Sequence, residues 1–135
     1  MKTKSETKPT LKYEIQGEGE RINVVFNDLD SIVEVQGEHG VEYEYWHYVS
    51  EMNNNKEYIK EHIDELFLLA KQCEFDRVAS EVRERRKTLL EETDNYAMSD
   101  RVMSEEMKIY RQALRDIPEQ EGFPYEVVYP IKPKE

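Results

Sequence analysis

The chain has 135 residues, enough for one modest hydrophobic core, and its 30 Asp and Glu against 19 Lys and Arg give a formal net charge of −11. This acidity argues against nucleic acid as the main partner, because phosphate binding needs a basic surface. No apolar run approaches the roughly 20 residues that span a bilayer, and the polar first ten residues lack a signal-peptide core. The single cysteine, Cys73, excludes an intrachain disulfide and is typical of a reducing compartment. The sequence therefore predicts a cytoplasmic protein that does not enter a membrane.

The first half of the chain carries the alternating pattern of β-strands. Residues 1–10 lack apolar groups, so we expect a disordered tail there. Residues 11–50 contain four short runs at about ten-residue spacing, which begin at Leu11, Ile22, Ile32 and Val41. Turn residues separate the runs, including Gly17-Glu18-Gly19-Glu20 and the segment from Gly37 to Gly40. The pattern predicts an antiparallel β-meander of about four strands.

The apolar spacing becomes helical after Asn53-Asn54-Asn55. Apolar residues then recur at three- and four-residue steps, namely Ile59, Ile63, Leu66, Phe67 and Ala70. The spacing predicts a helical region over residues 54–98, as one helix to about Glu92 or as two helices with a break near Cys73 to Asp76. Cys73 falls on the stripe and is expected to be buried or half-buried. The stripe can pack within one chain or against copies of itself.

The last part of the chain, residues 99–135, reads as a helix followed by an extended, Pro-rich segment. Ser104 can cap the helix, and Glu105 and Glu106 complement its dipole. Pro118 ends it, because proline disfavours helical geometry in the preceding residue. The fold class is therefore α+β, with a β-meander followed by two or three helices and an extended tail.

The chain lacks the residue patterns that are typical of catalysis. It has no glycine-rich phosphate loop, and Cys73 has no thiol neighbour and no positively charged neighbour in sequence except Lys71. The three histidines, His39, His47 and His62, lack the spacing of a metal site. We therefore expect no enzyme, no cofactor and no metal.

Two surfaces are candidates for binding another protein. Odd and even residues of the predicted fourth strand face opposite sides of the sheet, so one set builds the core. The other set, expected to include Trp46 and Tyr48, is either covered by helices and tail or exposed to a partner. The arginines that follow in the helical region form either a solvated face or a docking patch for an acidic partner. The candidate protein-binding residues are Tyr43, Tyr45, Trp46, Tyr48, Arg83 and Arg86.

The C-terminal third contains more distinctive strings. They are Arg86-Lys87-Thr88-Leu89-Leu90-Glu91-Glu92-Thr93-Asp94, Ser99-Asp100, Tyr110-Arg111-Gln112-Ala113-Leu114-Arg115-Asp116-Ile117-Pro118, Gly122-Phe123-Pro124, Val128-Tyr129-Pro130 and Lys132-Pro133. On these strings, residues 83–133 resemble the phage tail assembly chaperone-like family. The chain departs from the family's pattern at Asn95-Tyr96 and at Tyr129, where the family favours tryptophan.

The resemblance implies a protein that helps phage tail or tail-fibre proteins to assemble in the host cytoplasm, by protein–protein binding and with no catalytic residues to carry over. The alternative is a structural virion protein retained on the tail or fibre as an adaptor, decoration or tip component. The matching strings imply a structural motif in which aromatic residues pack the tail onto the helices and Arg111 or Arg115 pairs with Asp116, Asp100 or Asp94. Its residues are Tyr110, Arg111, Leu114, Arg115, Asp116, Pro118, Phe123, Pro124, Tyr129 and Pro130.

Overall fold

The computed structural model describes residues 1–18, 20–53, 55–98 and 101–134. Five strands come first: β1 (Lys2–Ser5), β2 (Tyr13–Gln16), β3 (Ile22–Asn27), β4 (Val33–Gly37) and β5 (Gly40–Met52). Three α-helices follow: α1 (Lys56–Glu61), α2 (Ile63–Glu91) and α3 (Glu105–Arg115), with short 3-10 turns at Leu29–Ser31, Asp94–Ala97 and Ile117–Glu119. The chain divides into two compact units, Met1–Glu74 and Phe75–Glu135. The predicted α+β class, an antiparallel sheet followed by helices, is confirmed.

The 13-residue strand β5 organises the sheet, because it pairs with three other strands. β3 pairs antiparallel with residues 47–52 of β5, and β4 pairs antiparallel with residues 40–44. The 3-10 turn Leu29–Ser31 lies between them, where the Ser31 hydroxyl accepts the Trp46 N–H at 2.9 Å. The meander is therefore correct for the β2–β3 and β4–β5 pairs and wrong for β3–β4. A strand as long as β5 can pair with both in succession.

The expected disordered tail is wrong for residues 2–5, which form strand β1. This strand runs antiparallel to β5 from Lys2 opposite Trp46 to Ser5 opposite Tyr43. Met1 and His47 exchange two backbone hydrogen bonds of 2.9 Å. Backbone pairing needs no apolar side chains, so a polar segment can join a sheet edge that its sequence does not reveal.

A left-handed glycine makes the turn after β2. Gly17 has φ of 93°, and a Cβ at this position would lie 2.8 Å from the Arg21 carbonyl oxygen. A side chain there would be strained by both the backbone angle and the contact. Gly19 of the same predicted turn lies outside the described residues.

The helical region contains a break, but not at the predicted place. Asn55 caps α1 by accepting the Tyr58 N–H at 2.8 Å, and His62 separates α1 from α2. Helix α2 then runs unbroken for 29 residues past Cys73, so the single-helix alternative is correct in that stretch. Cys73 itself is exposed, and its predicted burial is wrong. Asn54, part of the predicted turn, lies outside the described residues.

The first unit has its core between the sheet and the helices. Its buried residues are Ile22, Val24, Phe26, Tyr48, Ile59 and Ala70. The Phe67 ring on α2 lies 5.6 Å from Phe26 and 6.0 Å, edge-on, from Tyr48, measured between ring centroids. Three even-numbered residues of β5, Trp46, Tyr48 and Met52, therefore face this core.

The second unit packs α3 against the later part of α2 and the C-terminal segment. Its buried apolar residues are Val82, Met107, Tyr110, Leu114 and Ile117, with Phe123, Val127 and Tyr129 packed against them. Helix α3 begins directly after Ser104, whose hydroxyl accepts the Met107 N–H at 3.2 Å, as predicted.

The Ser104 cap should have a measurable effect on stability. Ser104→Ala leaves the Met107 amide without its acceptor, so we expect the free energy of unfolding to fall by about 1 kcal/mol in urea denaturation. Ser104→Asp should retain most of the stability that the cap contributes, because aspartate is also a good capping residue. The matched control is Ser80→Ala on the exposed surface of α2, where the same substitution should be neutral or slightly stabilising. Equal losses at both positions would contradict a capping role.

Candidate functional site

The aromatic residues of β5 divide between the two faces of the sheet. Tyr48 is 6% exposed and belongs to the core of the first unit. Trp46 is half-buried, packs against the same core and stacks on Tyr48 with ring centroids 6.3 Å apart. Tyr48 is therefore not available as a surface anchor, and of the two alternatives for this residue, coverage or exposure to a partner, coverage is correct. The reason is that even-numbered positions meet Phe26 of β3 and Phe67 of α2.

The opposite face of β5 carries the other members of the set. Tyr43 and Tyr45 are half-buried, while Val41 and Val49 are 52% and 59% exposed. Val25 of β3 lies opposite Val49 in the register. We call Val41, Tyr43, Tyr45 and Val49 the outer row. These residues lie on the side of the sheet that faces away from the core, where His47 separates Tyr45 from Val49.

A groove lies beside the end of β5 within the first unit. Its volume is about 570 Å³, and its lining residues are Ser50, Glu51, Met52, Asn53, Leu66, Leu69, Ala70 and Cys73. The four α2 residues have helical spacing and share one face of that helix. We call this feature the edge groove. Its two walls are more than a dozen residues apart in sequence, so no local pattern could reveal it.

Three arginines of α2, Arg83, Arg85 and Arg86, contact the C-terminal part of the chain within the second unit. The guanidinium of Arg83 lies 5.2 Å from the Phe123 ring centroid, and that of Arg85 lies 4.1 Å from the Tyr129 ring centroid. These are cation–π distances. Arg86 donates to the Arg115 carbonyl oxygen at 3.2 Å, at the C-terminal end of α3. A docking role for Arg83 and Arg86 stays a prediction.

Arg111 lies at the centre of a buried polar network in the second unit. The side chain is 6% exposed and donates to the Leu90 carbonyl oxygen at 2.9 Å and to Thr93 Oγ1 at 2.7 Å. Its other terminal nitrogen donates to Asp94 at 2.9 Å. The predicted Arg111–Asp94 pair is confirmed. Thr93, fully buried, was not among the predicted site residues.

The other residues of the structural motif occupy several environments. Tyr110, Leu114 and Pro124 are buried, and burial raises the pKa of the Tyr110 phenol. Phe123, Tyr129, Pro118 and Pro130 are half-buried. Arg115 and Asp116 are exposed, and Asp116 accepts a hydrogen bond from Gln112 at 2.9 Å. Asp100, a further predicted ion-pair partner, lies outside the described residues, as does Ser99 before it.

Two of the three histidines, His47 and His62, have local contacts within the first unit. The His62 ring stacks on Tyr58 with centroids 4.0 Å apart. Burial, and then the nearby Met1 amine, lowers the pKa of His47. Within the described ranges, no three His, Cys, Asp or Glu side chains are grouped to hold a metal ion. None of the helices in the described part of the chain is long and apolar enough to cross a membrane.

These features place the chain among α+β proteins whose prominent surfaces are apolar strips and grooves, as in many proteins that bind other proteins. Residues 79–134 match the family model for phage tail assembly chaperone proteins. The match lies within the second unit, and the predicted resemblance of residues 83–133 is confirmed. No curated protein and no solved structure gives a significant match. The family match supports a general role as a chaperone in phage tail assembly.

Proposed function

We propose that the protein is an assembly chaperone for a phage tail or tail-fibre protein, and that it acts in the host cytoplasm by binding this client. The observation that carries the proposal is the family match over residues 79–134. Catalysis is not part of the proposed function, because the matched family is in general non-catalytic. The first unit, residues 1–74, lies outside the match and is proposed to supply the specificity for the client.

The outer row is the proposed contact surface. A chaperone of this type must cover apolar surface on a subunit that would otherwise aggregate, and later release it. Val41 and Val49 are exposed, and Tyr43 and Tyr45 between them offer large rigid side chains with a polar tip, a common composition of interface anchors. Arg83, which is also exposed, is a candidate for contact with an acidic client segment.

Co-expression with tail proteins tests the proposal. We expect at least one tail or tail-fibre protein of the encoding phage to be aggregated when produced alone, and to become soluble and co-purify when produced with this protein. A capsid protein of the same phage is the control and should be unaffected. If every tail and fibre protein behaves the same with and without it, the chaperone proposal is wrong.

Quantitative mass spectrometry of purified phage particles separates the proposal from its alternative. A chaperone that acts and leaves should be abundant in infected cells and absent from mature particles. A fixed copy number that matches the symmetry of the tail would instead identify a structural component such as an adaptor, decoration or tip protein.

A further inference from the structure

The last part of β5 has one paired edge and one open edge in the region that the structure describes. Along the paired edge, the Asp28 N–H donates to the Trp46 carbonyl oxygen, so Trp46 and every second residue after it face β3. Along the other edge, His47 exchanges hydrogen bonds with Met1 at the end of β1. The backbone groups of Val49 and Glu51 point to that same edge. No described strand pairs with them there.

The edge of β5 that is open at Val49 and Glu51 is paired with β1 earlier in the strand. β1 covers residues 43–46 of β5, and its pairing ends with the Met1–His47 hydrogen bonds. The Met1 amine also lies 3.3 Å from a Glu74 carboxylate oxygen on α2. The open stretch that follows is therefore continuous with a strand position that is already in use.

The edge groove lies beside the open stretch. On one side are residues 50–53, and on the other is the α2 face formed by Leu66, Leu69, Ala70 and Cys73. Leu69 is 58% exposed, so this wall offers apolar surface to solvent. A strand added next to Val49 and Glu51 would direct alternate side chains towards this helix face. An open strand edge that faces a helix across a groove is an arrangement in which peptides bind by strand addition.

We propose that the edge groove binds an extended segment of the client, which adds to β5 as a further strand in line with β1. The inference rests on the proposed chaperone function and names a second contact with the client, separate from the outer row. Among protein segments, only one with free backbone N–H and C=O groups can bond to the backbone of Val49 and Glu51. A strand therefore fits this edge, and a helix, whose backbone groups bond within the helix, does not.

The surroundings also define the side chains of the occupant. The residues that face α2 are apolar, because they meet Leu66, Leu69 and Ala70. The intervening residues are basic or neutral, because residues 1–74 hold 16 Asp and Glu against 8 Lys and Arg. Glu51 lies on the edge itself, and its 64% exposed side chain is 3.8 Å from that of Arg21, so the net acidity of the unit and not Glu51 alone sets this preference. An acidic segment would be repelled.

Two neighbouring leucines of α2 provide a matched test. Leu68 and Leu69 are 65% and 58% exposed, but only Leu69 lines the groove. With the tail protein identified by co-expression as the probe, we expect Leu69→Asp to weaken its binding about tenfold or more, measured by calorimetry. We expect Leu68→Asp to change the dissociation constant less than about twofold, since few interface residues carry most of the affinity. Circular dichroism of both variants checks that the fold is intact.

Hydrogen exchange of the unaltered protein provides a second measurement that needs no substitution. The Val49 and Glu51 amides should exchange rapidly in the free protein and at least about tenfold more slowly with the client bound, because each gains a backbone acceptor. The Ser50 and Met52 amides, which face β3, should be protected in both states.

The outcomes separate the two proposals. Suppose that the client binds, that Leu69→Asp and Leu68→Asp have the same dissociation constant, and that the Val49 and Glu51 amides still exchange rapidly. The groove inference is then overturned and the chaperone function stands. If no tail protein binds, both fail. If light scattering instead detects a dimer that Leu69→Asp abolishes, the occupant is a second copy of this chain and the client assignment is wrong.

Discussion

Arg111→Met is expected to lower the free energy of unfolding by about 3 kcal/mol. The substitution removes the charged donor from the oxygen of the buried Thr93 hydroxyl, and such a loss costs about 1–3 kcal/mol. The Leu90 carbonyl oxygen loses Arg111 but keeps the N–H and the hydroxyl of Thr93 as donors. Removing one partner of a fully buried ion pair costs roughly 3–5 kcal/mol. The Asp94 side chain is 60% exposed and can be solvated, so the lower end of that range applies.

Urea denaturation followed by far-ultraviolet circular dichroism measures this loss. Arg111→Lys should be intermediate, because lysine cannot donate from two nitrogens in a fixed fork. The control is Arg115→Met, one turn later on the same helix, where the side chain is exposed and the expected change is under about 0.5 kcal/mol. A loss at position 111 no larger than that at position 115 would show that the network contributes little.

The residues of the family-like strings around Arg111 have structural roles. Tyr110, Arg111 and Leu114 all point inward, towards the core of the second unit or the Leu90–Asp94 turn. A motif of this kind specifies how the unit folds. This is consistent with the proposal that residues 1–74, outside the family match, supply the specificity for the client.

Local elements could be predicted from the sequence because their causes are local. Period-two alternation identified β2 to β5, and the Ser104 cap set the start of α3 to the residue. Pairing is not local: β3 and β4 both pair with β5 because that strand is long enough, and its length depends on contacts along its whole course. Strand β1 was not predicted, because backbone hydrogen bonds connect it to β5 and the polar composition of residues 1–10 gives no sign of them.

The candidate surfaces could be predicted only in part. Alternation along β5 showed that its aromatic residues occupy two faces. It could not show which face α2 covers, because that depends on Phe67 reaching Tyr48 and Phe26. The edge groove is formed by residues 50–53 and 66–73 together, which no local pattern reveals. Cys73, which lines it, was wrongly expected to be buried or half-buried and is exposed.

Tyr48→Ala is expected to destabilise the first unit by about 3–4 kcal/mol. The Tyr48 side chain is 6% exposed, stacks on Trp46 and meets Phe67 edge-on, so its removal leaves a cavity in the core. Truncation of a buried aromatic side chain costs roughly 3–5 kcal/mol. Loss of near-ultraviolet circular dichroism at a lower urea concentration than in the unaltered protein would measure the effect.

Tyr45→Ala is the matched variant on the opposite face of the same strand. Because Tyr45 is half-buried in the outer row, we expect a stability loss under about 1 kcal/mol together with weaker binding of the client. The two tyrosines thus separate stability from recognition along one strand. If Tyr45→Ala unfolds the unit while Tyr48→Ala is tolerated, the assignment of the two faces is reversed. If Tyr45→Ala leaves both stability and client binding unchanged, the outer row is not the contact surface, and the edge groove is left as the proposed binding site of the first unit.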